Sequence, residues 1–370
     1  MTTTVSRAPG RWAALLLALI TPIVAEFTLG NPPLSQVWLL LLWVPIYGGG
    51  TVLVRELVRR SGAGWPAILL LGAAYGIVEE GLVLQSLSSP TLYGVADWAP
   101  RILGLNSAYT ELNILYHAVF SVALPILLAD LLFPGLRRRP YLGRIGLVVA
   151  AAAFVLGGVL LRWSVAVFMD PGYQAPAPIV AGCLAAVALL AAVALGVGPR
   201  LSSAPVEPSA PRVLPPRPWT VGVSCGLAAF GYLALLYPFG GAVQPAFTRG
   251  GWVAVPMLAA AALAVVAGWL VRRWTTGGGW TDRHSLALAC GALTAHTVFG
   301  LIANAETLAD RIGLAVLGLV MIGLLALLGR RSCRECPTCG DKGGSLTGNG
   351  STREPVTGCR TTRFTGYGRG

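Results

Sequence analysis

The chain has 370 residues, of which 55% are hydrophobic and only 11% are charged. A mean hydropathy of +0.69 excludes a disordered chain, and an ordinary soluble domain carries about a quarter of charged residues. The formal net charge of +12 comes almost entirely from arginines, which stand in short clusters between apolar runs. This pattern is typical of side chains that anchor helices at a bilayer surface. The composition therefore predicts a multi-pass membrane protein with the lipid bilayer as partner and no nucleic-acid partner.

Ten apolar runs of membrane-spanning length follow one another along the chain. A spanning helix needs about 20 predominantly apolar residues. The sequence therefore predicts an all-α membrane helix bundle. Its ten helices are expected near residues 12–29, 36–54, 65–88, 110–133, 143–163, 178–198, 219–238, 252–271, 284–303 and 311–329.

Arginines divide unevenly between the two sets of alternate connections. Those before the first helix and after each even-numbered helix up to the eighth carry most of them, whereas the other set has only Arg101, Arg162, Arg249 and Arg311. Cytoplasmic connections of membrane proteins carry the excess of arginine and lysine. Both termini are therefore predicted to lie in the cytoplasm, in a protein of the cell membrane.

Two segments without apolar runs divide the chain. Residues 199–218 are rich in proline and are predicted to form an extended cytoplasmic linker between a six-helix region, 1–198, and a four-helix region, 219–331. Residues 332–370 are polar and glycine-rich, which predicts a disordered cytoplasmic tail. Its cysteine spacing, Cys333, Cys336, Cys339 and Cys359, fits neither a zinc ribbon nor an iron–sulfur motif.

Five ionisable residues stand inside predicted spans: Glu26, Glu79, Glu80, His117 and His296. Such a residue costs about 2.5 to 3.5 kcal/mol at the bilayer centre, so each needs a partner or a function. Counted at 1.5 Å per residue from the ends of their helices, all five lie at a similar depth, about 10 Å below the outer surface. Separate helices are therefore expected to bring their polar groups together.

Helical spacing predicts which faces carry these groups. Residues four apart lie on one face, and small residues let helices approach closely. Three such stripes are Gly72, Gly76 and Glu80; Asn113, His117 and Ser121; and His296, Gly300 and Asn304. Tyr75 precedes Glu79 by one turn and is expected to hydrogen-bond to it. Glu26, Tyr75, Asn113 and Asn304 are thus predicted to bind a substrate or ion beside the Glu and His residues.

The second helix contains Pro45 followed by Gly48, Gly49 and Gly50. Such a run can unwind and expose carbonyl groups to a cavity, as in transporters, although a kink with tight packing is the commoner outcome. The charged residues at its end, from Arg55 to Arg60, are interpreted as ion pairs in water, and Asp130 as an interfacial residue.

The adjacent acids limit the chemistry of the predicted site. Two carboxylates in a low-dielectric site cannot both ionise at low cost, so one is expected to hold a proton. Beside histidine, such a group can relay protons, act as an acid or base, or bind a cation such as a divalent metal. The residue types do not choose among these roles.

The segment from Ala74 to Gly81, AYGIVEEG, resembles the first motif of the CAAX-processing and bacteriocin-processing intramembrane proteases. The resemblance implies that Glu79 and Glu80 activate a water, with metal assistance, and that His117 and His296 are the two histidines of that family. The chain departs from the motif at Leu84, where the family has arginine. Residues 26–134 are also similar to uncharacterised bacterial multi-pass proteins, which implies no activity.

Three functions therefore remain open. The leading hypothesis is a proton- or cation-coupled transporter, with the glycines of the second helix as its best hint of alternating access. The second is an intramembrane metalloprotease-like enzyme that uses Glu79, Glu80, His117 and His296. The third is a non-catalytic membrane scaffold, in which the polar stripes only hold helices together.

The arginine distribution generates a topology prediction. Reporter fusions are expected to give a cytoplasmic signal after Arg60, Arg139, Arg212 and Arg283, and an external signal near Asp97 and Arg249. Paired alkaline phosphatase and green fluorescent protein fusions measure the two signals. A cytoplasmic signal at both Asp97 and Arg249 would contradict the ten-helix arrangement.

Overall fold

The computed structural model describes residues 8–94, 99–198, 213–237, 247 and 250–334. Within these ranges, ten helices are long and apolar enough to cross a membrane, as predicted. They are α1 (Pro9–Leu29), α2 (Leu34–Ser61), α3 (Trp65–Val83), α4 (Ser107–Leu132), α5 (Arg144–Met169), α6 (Ala177–Gly196), α7 (Pro218–Leu236), α8 (Gly250–Thr276), α9 (Asp282–Ala303) and α10 (Leu308–Arg330). Most of the predicted linker at 199–218 and of the predicted tail at 332–370 lies outside the described residues.

One short hairpin interrupts the helical pattern. Strands β1 (Arg101–Ile102) and β2 (Leu105–Asn106) pair antiparallel in the connection between α3 and α4. The prediction that the third helix continues to residue 88 is wrong, because helical backbone ends at Val83. Gln85 has a φ of 60°, which breaks the helix and turns the chain into this connection.

The helix ends gather in two groups. Near the start of α1, Gly10 packs on the carbonyl of Tyr141, which precedes α5, and Arg137 pairs with Asp282 at the start of α9. We call this the arginine-rich end. At the opposite end, Asn304 after α9 donates to the carbonyl of Leu29 at the end of α1. Helices α1 and α9 therefore both begin at the arginine-rich end and finish at the opposite end.

Helices α1, α3 and α4 form the centre of the bundle, because more than half of the apolar window of each is buried. Helices α5, α6, α8 and α10 expose most of theirs. Their exposed apolar side chains, such as Leu156, Leu189, Val265 and Leu319, are what a lipid-facing surface requires. Polar groups on the central helices are thereby removed from lipid.

Four helices contain π-helical segments, in which the backbone hydrogen bonds skip one extra residue. These are Val44–Gly48 in α2, Ile77–Val83 in α3, His117–Ala123 in α4 and Val165–Met169 in α5. In α2 the cause is Pro45, which has no N–H to donate. The first three segments carry polar residues of the site described below, and π segments often occur at functional sites.

Glycines set the distances between the central helices. A methyl group on Gly72 of α3 would lie 2.8 Å from the Cα of Ala118 in α4, and one on Gly48 of α2 would lie 2.4 Å from the carbonyl oxygen of Ala18 in α1. The predicted close approach at the Gly72 stripe is confirmed. Unwinding at Gly48–Gly50 is not observed, because regular helix continues from Gly49 to Ser61. Gly48 and Gly49 instead lie against the backbones of α1 and α5, and Gly50 lies against the Tyr75 ring.

Helices α7 and α9 meet along a second glycine contact. A methyl group on Gly291 would lie 1.9 Å from the carbonyl oxygen of Gly222, and one on Gly226 would lie 3.0 Å from the carbonyl oxygen of Gly291. The two backbones therefore touch with no side chain between them. Van der Waals packing at such close approach is the main force that joins helices in lipid.

This contact gives a prediction for stability. Gly291→Ala is expected to cost about 1–3 kcal/mol, because the added methyl overpacks a rigid backbone contact. Gly268→Ala in α8 is the matched control, since no atom lies within 4 Å of the position of its methyl. Melting temperatures of the purified variants in detergent measure both effects. An unchanged melting temperature for Gly291→Ala would contradict the contact.

Candidate functional site in the centre of the bundle

A group of polar side chains lies buried between α1, α2, α3 and α4. We call it the Glu–His cluster. Most of its members are at least nine-tenths buried, and the connection after α3 contributes one serine. The members are Glu26, Tyr47, Tyr75, Glu79, Glu80, Ser86, His117 and Ser121.

His117 lies between two carboxylates. Its Nδ1 is 3.2 Å from Oε2 of Glu79, and its Nε2 is 3.2 Å from Oε1 of Glu80. Nδ1 also meets Oγ of Ser121 at 2.9 Å, and Ser86 donates a hydrogen bond to the other oxygen of Glu80. With a proton on both nitrogens, the ring is a cation that faces an anion on each side.

Gly76 explains how two neighbouring glutamates reach opposite sides of one ring. A methyl group on Gly76 would lie 3.0 Å from Cβ of His117, so the histidine rests directly on the backbone of α3. Residues three and four positions after Gly76 lie one turn further along the same face. These residues are Glu79 and Glu80, which lie on either side of the imidazole ring of His117.

Three tyrosine rings surround His117. The ring centroids of Tyr47, Tyr75 and Tyr116 lie 6.2, 5.9 and 5.4 Å from that of the imidazole. Aromatic rings attract a nearby cation, and more strongly where water is excluded. The three rings therefore form the aromatic surroundings of the imidazole, and the carboxylates of Glu79 and Glu80 are the groups that balance its charge.

Glu26 joins the cluster through Tyr47, whose hydroxyl donates to Oε1 of Glu26 at 2.8 Å. Glu26 also lies close enough to Glu79 and His117 for their charges to interact. The third carboxyl group therefore shares the electrostatics of the pair, although its hydrogen bond is to a tyrosine.

Glu79 has the least complete hydrogen bonding of the cluster. The hydroxyls of Tyr47 and Tyr75 lie toward its carboxylate. Yet among the described residues neither oxygen of Glu79 completes a hydrogen bond of normal geometry, and neither does the Tyr75 hydroxyl. The side chain is 1% exposed, and a buried polar group without a partner costs about 1–3 kcal/mol. A proton on Glu79 would let its carboxyl group donate to the Tyr75 hydroxyl, so that both groups gain a partner.

His296 lies in a different network. Its Nδ1 meets Oγ1 of Thr28 at 2.9 Å and its Nε2 meets the Tyr116 hydroxyl at 3.0 Å. Phe120 stacks on the ring with centroids 4.3 Å apart. Tyr116 lies between the two histidines and also donates to the carbonyl of Ala25. The structure therefore brings Glu79, Glu80 and His117 together and separates His296 from their carboxylates.

The two predicted asparagines hold backbone groups outside the cluster. Asn113 donates to the carbonyl of Tyr109 in its own helix, at 2.9 Å. Asn304 donates to the carbonyl of Leu29 at 2.9 Å and accepts from Tyr237 at 3.1 Å. These bonds fix helix ends and helix geometry.

A divalent metal does not fit the cluster as it is arranged. Across the described ranges, no three His, Cys, Asp or Glu side chains are placed to hold a metal ion. Both nitrogens of His117 already face carboxylates, so no ring lone pair is directed at a shared point. The metal suggested by the sequence resemblance therefore lacks a ligand set here.

A second buried group, which we call the Arg55 cluster, lies near the arginine-rich end and consists of Arg55, Glu56, Arg59, Asp130 and Tyr141. The interpretation of these charges as ion pairs in water is wrong for Arg55 and Glu56, which are 0% exposed. Asp130, near the end of α4, is 1% exposed and lies buried against Arg55 and Arg59. Burial follows because residues 134–142 fold over the end of α2.

Sequence reasoning also missed Tyr47, Ser86 and Thr51. Tyr47, Thr51, Arg55 and Arg59 are spaced by four residues, so they share one face of α2. That spacing is visible in the sequence and could have identified a continuous polar stripe. Ser86 gave no such signal, because it follows the end of a helix.

Comparison with known proteins places the chain in a family. The model of an uncharacterized membrane protein family matches residues 15–338. The chain belongs to this family. No curated protein matches the chain, and no solved structure matches it. Membership in this family agrees with a membrane location, and none of the comparisons supports the resemblance to intramembrane proteases.

The cluster geometry predicts coupling between its residues. His117→Gln leaves two carboxylates facing each other, and Glu79→Gln removes one of them. The double variant is therefore expected to be more stable than the sum of the single effects predicts, by at least about 1 kcal/mol. Melting temperatures in detergent measure this coupling. His296→Gln combined with Glu79→Gln is the control and is expected to be additive; additivity in both pairs would exclude a shared site.

Proposed function

We propose that this protein is a proton-coupled transporter of the cell membrane, and that the Glu–His cluster is where the proton binds. One observation carries the proposal: His117 is held between two buried carboxylates, one of which, Glu79, has an open hydrogen-bonding position. An ionisable group inside a membrane bundle is costly and often marks an ion or proton pathway.

The geometry supports a short proton transfer. Nδ1 of His117 and Oε2 of Glu79 are 3.2 Å apart, at the long end of hydrogen-bond reach. The two groups do not form a hydrogen bond in the arrangement observed, so a small rotation of the ring or of the carboxyl group has to align them before the transfer. When the proton passes from Nδ1 to Oε2, the imidazolium becomes neutral imidazole and the carboxylate becomes a carboxylic acid. Both charges of the pair disappear, and the new O–H has the Tyr75 hydroxyl nearby as an acceptor.

Loss of that charge pair weakens one link between α3 and α4. A ligand or proton shifts a conformational equilibrium by its different affinity for the two states. Here the charged pair favours the packing observed, and the neutral pair no longer opposes a change in it. The π segments beside Glu79 and His117 lie where such a change would begin. This supports coupling of proton binding to helix movement.

The position of His117 favours the proton over a metal cation. In its charged form the ring occupies the space between Glu79 and Glu80 where another cation would bind. A sodium or divalent ion would have to displace the ring from Gly76 and from its three tyrosines. A proton needs no such displacement.

A membrane enzyme is the second candidate. The contact between Glu80 and His117, 3.2 Å long, is also an arrangement for acid–base chemistry. The protease resemblance implies two histidines at the site, whereas His296 hydrogen-bonds to Thr28 and Tyr116. Transport is therefore the better-supported function.

Proton flux in reconstituted vesicles tests the proposal. Proteoliposomes with an imposed pH gradient are given mixtures of amino acids, sugars or organic ions, and a trapped pH-sensitive dye reports proton entry. Wild-type protein is expected to accelerate entry with at least one mixture. Glu79→Gln and His117→Gln are expected to reduce that acceleration at least about tenfold, since each removes a proton-binding group.

Glu306→Gln is the matched control, because Glu306 is exposed after the end of α9, and its flux is expected to equal that of wild type. Flux no faster than in protein-free vesicles with every mixture would contradict transport. Cleavage of a fluorogenic membrane peptide that disappears in Glu79→Gln would support the enzyme instead. Neither activity, together with additive stability losses, would leave a scaffold.

A further inference from the structure

A buried polar stripe runs along α2 from the Glu–His cluster to the arginine-rich end. The stripe consists of four residues spaced by four, Tyr47, Thr51, Arg55 and Arg59. Tyr47 is 5% exposed, Thr51 and Arg55 are 0% exposed, and the side chain of Arg59 is 11% exposed. Twelve residues of helix cover about 18 Å. Lipid does not require this stripe, and an apolar face would pack at lower cost.

The part of the stripe nearest the Glu–His cluster contacts it directly. Tyr47 bonds to Glu26. One helical turn closer to the arginine-rich end, Thr51 donates to the backbone carbonyl of Ser121 at 2.8 Å. The hydroxyl of Ser121 lies 2.9 Å from Nδ1 of His117. Thr51 is therefore one residue away from the ring that is proposed to carry the proton.

Near the arginine-rich end, the side chain of Arg55 closes the stripe. Its Nε and Nη2 reach Oδ1 of Asp130 at 3.1 and 2.8 Å. Its guanidinium also donates to the carbonyls of Leu136 and Arg139 and lies 3.3 Å from the centre of the Tyr141 ring. One side chain thus ties α2 to α4 and to the connection after α4.

Asp130 holds this closure together. Its second oxygen, Oδ2, accepts from Arg59 at 2.8 Å. Beside it, Glu56 accepts from the backbone N–H of Tyr141 at 2.5 Å and pairs with Arg60 at 3.2 Å. Burial raises the pKa of the Tyr141 phenol, so that group stays neutral. Asp130 is therefore the acid that both Arg55 and Arg59 contact directly, and Glu56 with Arg60 forms a second ion pair beside it.

The opposite end of the cluster is covered differently. Arg101 donates to the carbonyls of Ser88 and Ser89. Ser89 and Thr91 donate to Asp170 at 2.6 and 2.5 Å. This cover is formed by connections outside the helices, whereas at the arginine-rich end Arg55 and Arg59 of α2 both bond to Asp130 of α4. The polar stripe of α2 itself therefore ends at the arginine-rich closure.

We propose that the α2 stripe is the route by which protons pass between the Glu–His cluster and the arginine-rich end, and that the Arg55–Asp130 pair is its gate. The proposal rests on the transport function proposed above. Arginine keeps its proton at physiological pH, so Arg55 blocks the route and does not relay protons. The route conducts when Arg55 leaves Asp130 and water reaches Thr51.

Cysteine accessibility tests the gate. The seven native cysteines are replaced by serine or alanine, and Thr51→Cys is introduced into the full chain. A charged thiol reagent that does not cross membranes is applied to each side of sealed vesicles. Arg138→Cys, exposed at the arginine-rich end, reports which side that end faces. Leu53→Cys, which lies away from the stripe on the same helix, is expected to remain unlabelled throughout.

The gate is opened by Arg55→Gln with Asp130→Asn, which removes the charges of Arg55 and Asp130 together. Arg59, whose side chain is 11% exposed, loses its bond to Asp130 in the same variant. Labelling of Thr51→Cys from the arginine-rich end is expected to rise at least about tenfold, because charge-assisted hydrogen bonds hold the closed form. The matched control is Asp282→Asn, which breaks an exposed ion pair at the same end and leaves the bond of Arg137 to the backbone of Asp130 in place; it is expected to leave labelling unchanged.

Arg55→Lys keeps the result interpretable if the double variant does not fold. It retains the charge but loses the planar fork, and an intermediate rise in labelling is expected. Labelling that does not rise in any folded gate variant, or that rises equally from the opposite side, would overturn the route.

The two proposals fail separately. Proton flux in wild-type vesicles with an unreactive Thr51→Cys would remove the route and keep transport. If Thr51→Cys is labelled in the gate variants but no proton flux is measured under any condition, the proposed transport function is contradicted, and the route does not carry protons.

Discussion

The contact of His117 with two carboxylates is the constraint around which the central helices are arranged. Charges buried in a membrane bundle are stable only when each has a partner. The imidazole brings α3 and α4 together, Gly76 gives it room, and three tyrosines shield it from lipid. The peripheral helices, α5, α6, α8 and α10, then supply the apolar surface that lets such a group exist inside a bilayer.

The sequence predicted the membrane bundle well because lipid imposes a simple rule on length and apolarity. The ten apolar runs correspond to ten helices in the part of the chain that the structure describes. Spacing by four also predicted that Gly72, Gly76 and Glu80 share a face, and depth along the helices brought Glu79 and His117 to one level. These predictions needed only the geometry of a single helix.

Predictions that depended on contacts between helices were less successful. Depth does not give direction around the bundle, so His296 was grouped with His117 although Tyr116 separates them. The prediction that Arg55 forms ion pairs in water rests on its position near a helix end, among other arginines. Only the fold of residues 134–142 over that end buries it, and no helical period encodes a loop. The π segments also escaped prediction, since their hydrogen bonds reflect tertiary packing as well as local sequence.

Gly76 makes this site sensitive to volume as well as to charge. Cβ of His117 lies 3.0 Å from the position of a methyl group at residue 76, so even the smallest added group has to shift His117 or α3 while every titratable atom remains in the sequence. A survey that replaces only acids and histidines would therefore overlook one of the residues on which the pairing depends. In this bundle a missing side chain is as much a part of the chemistry as the side chains that surround it.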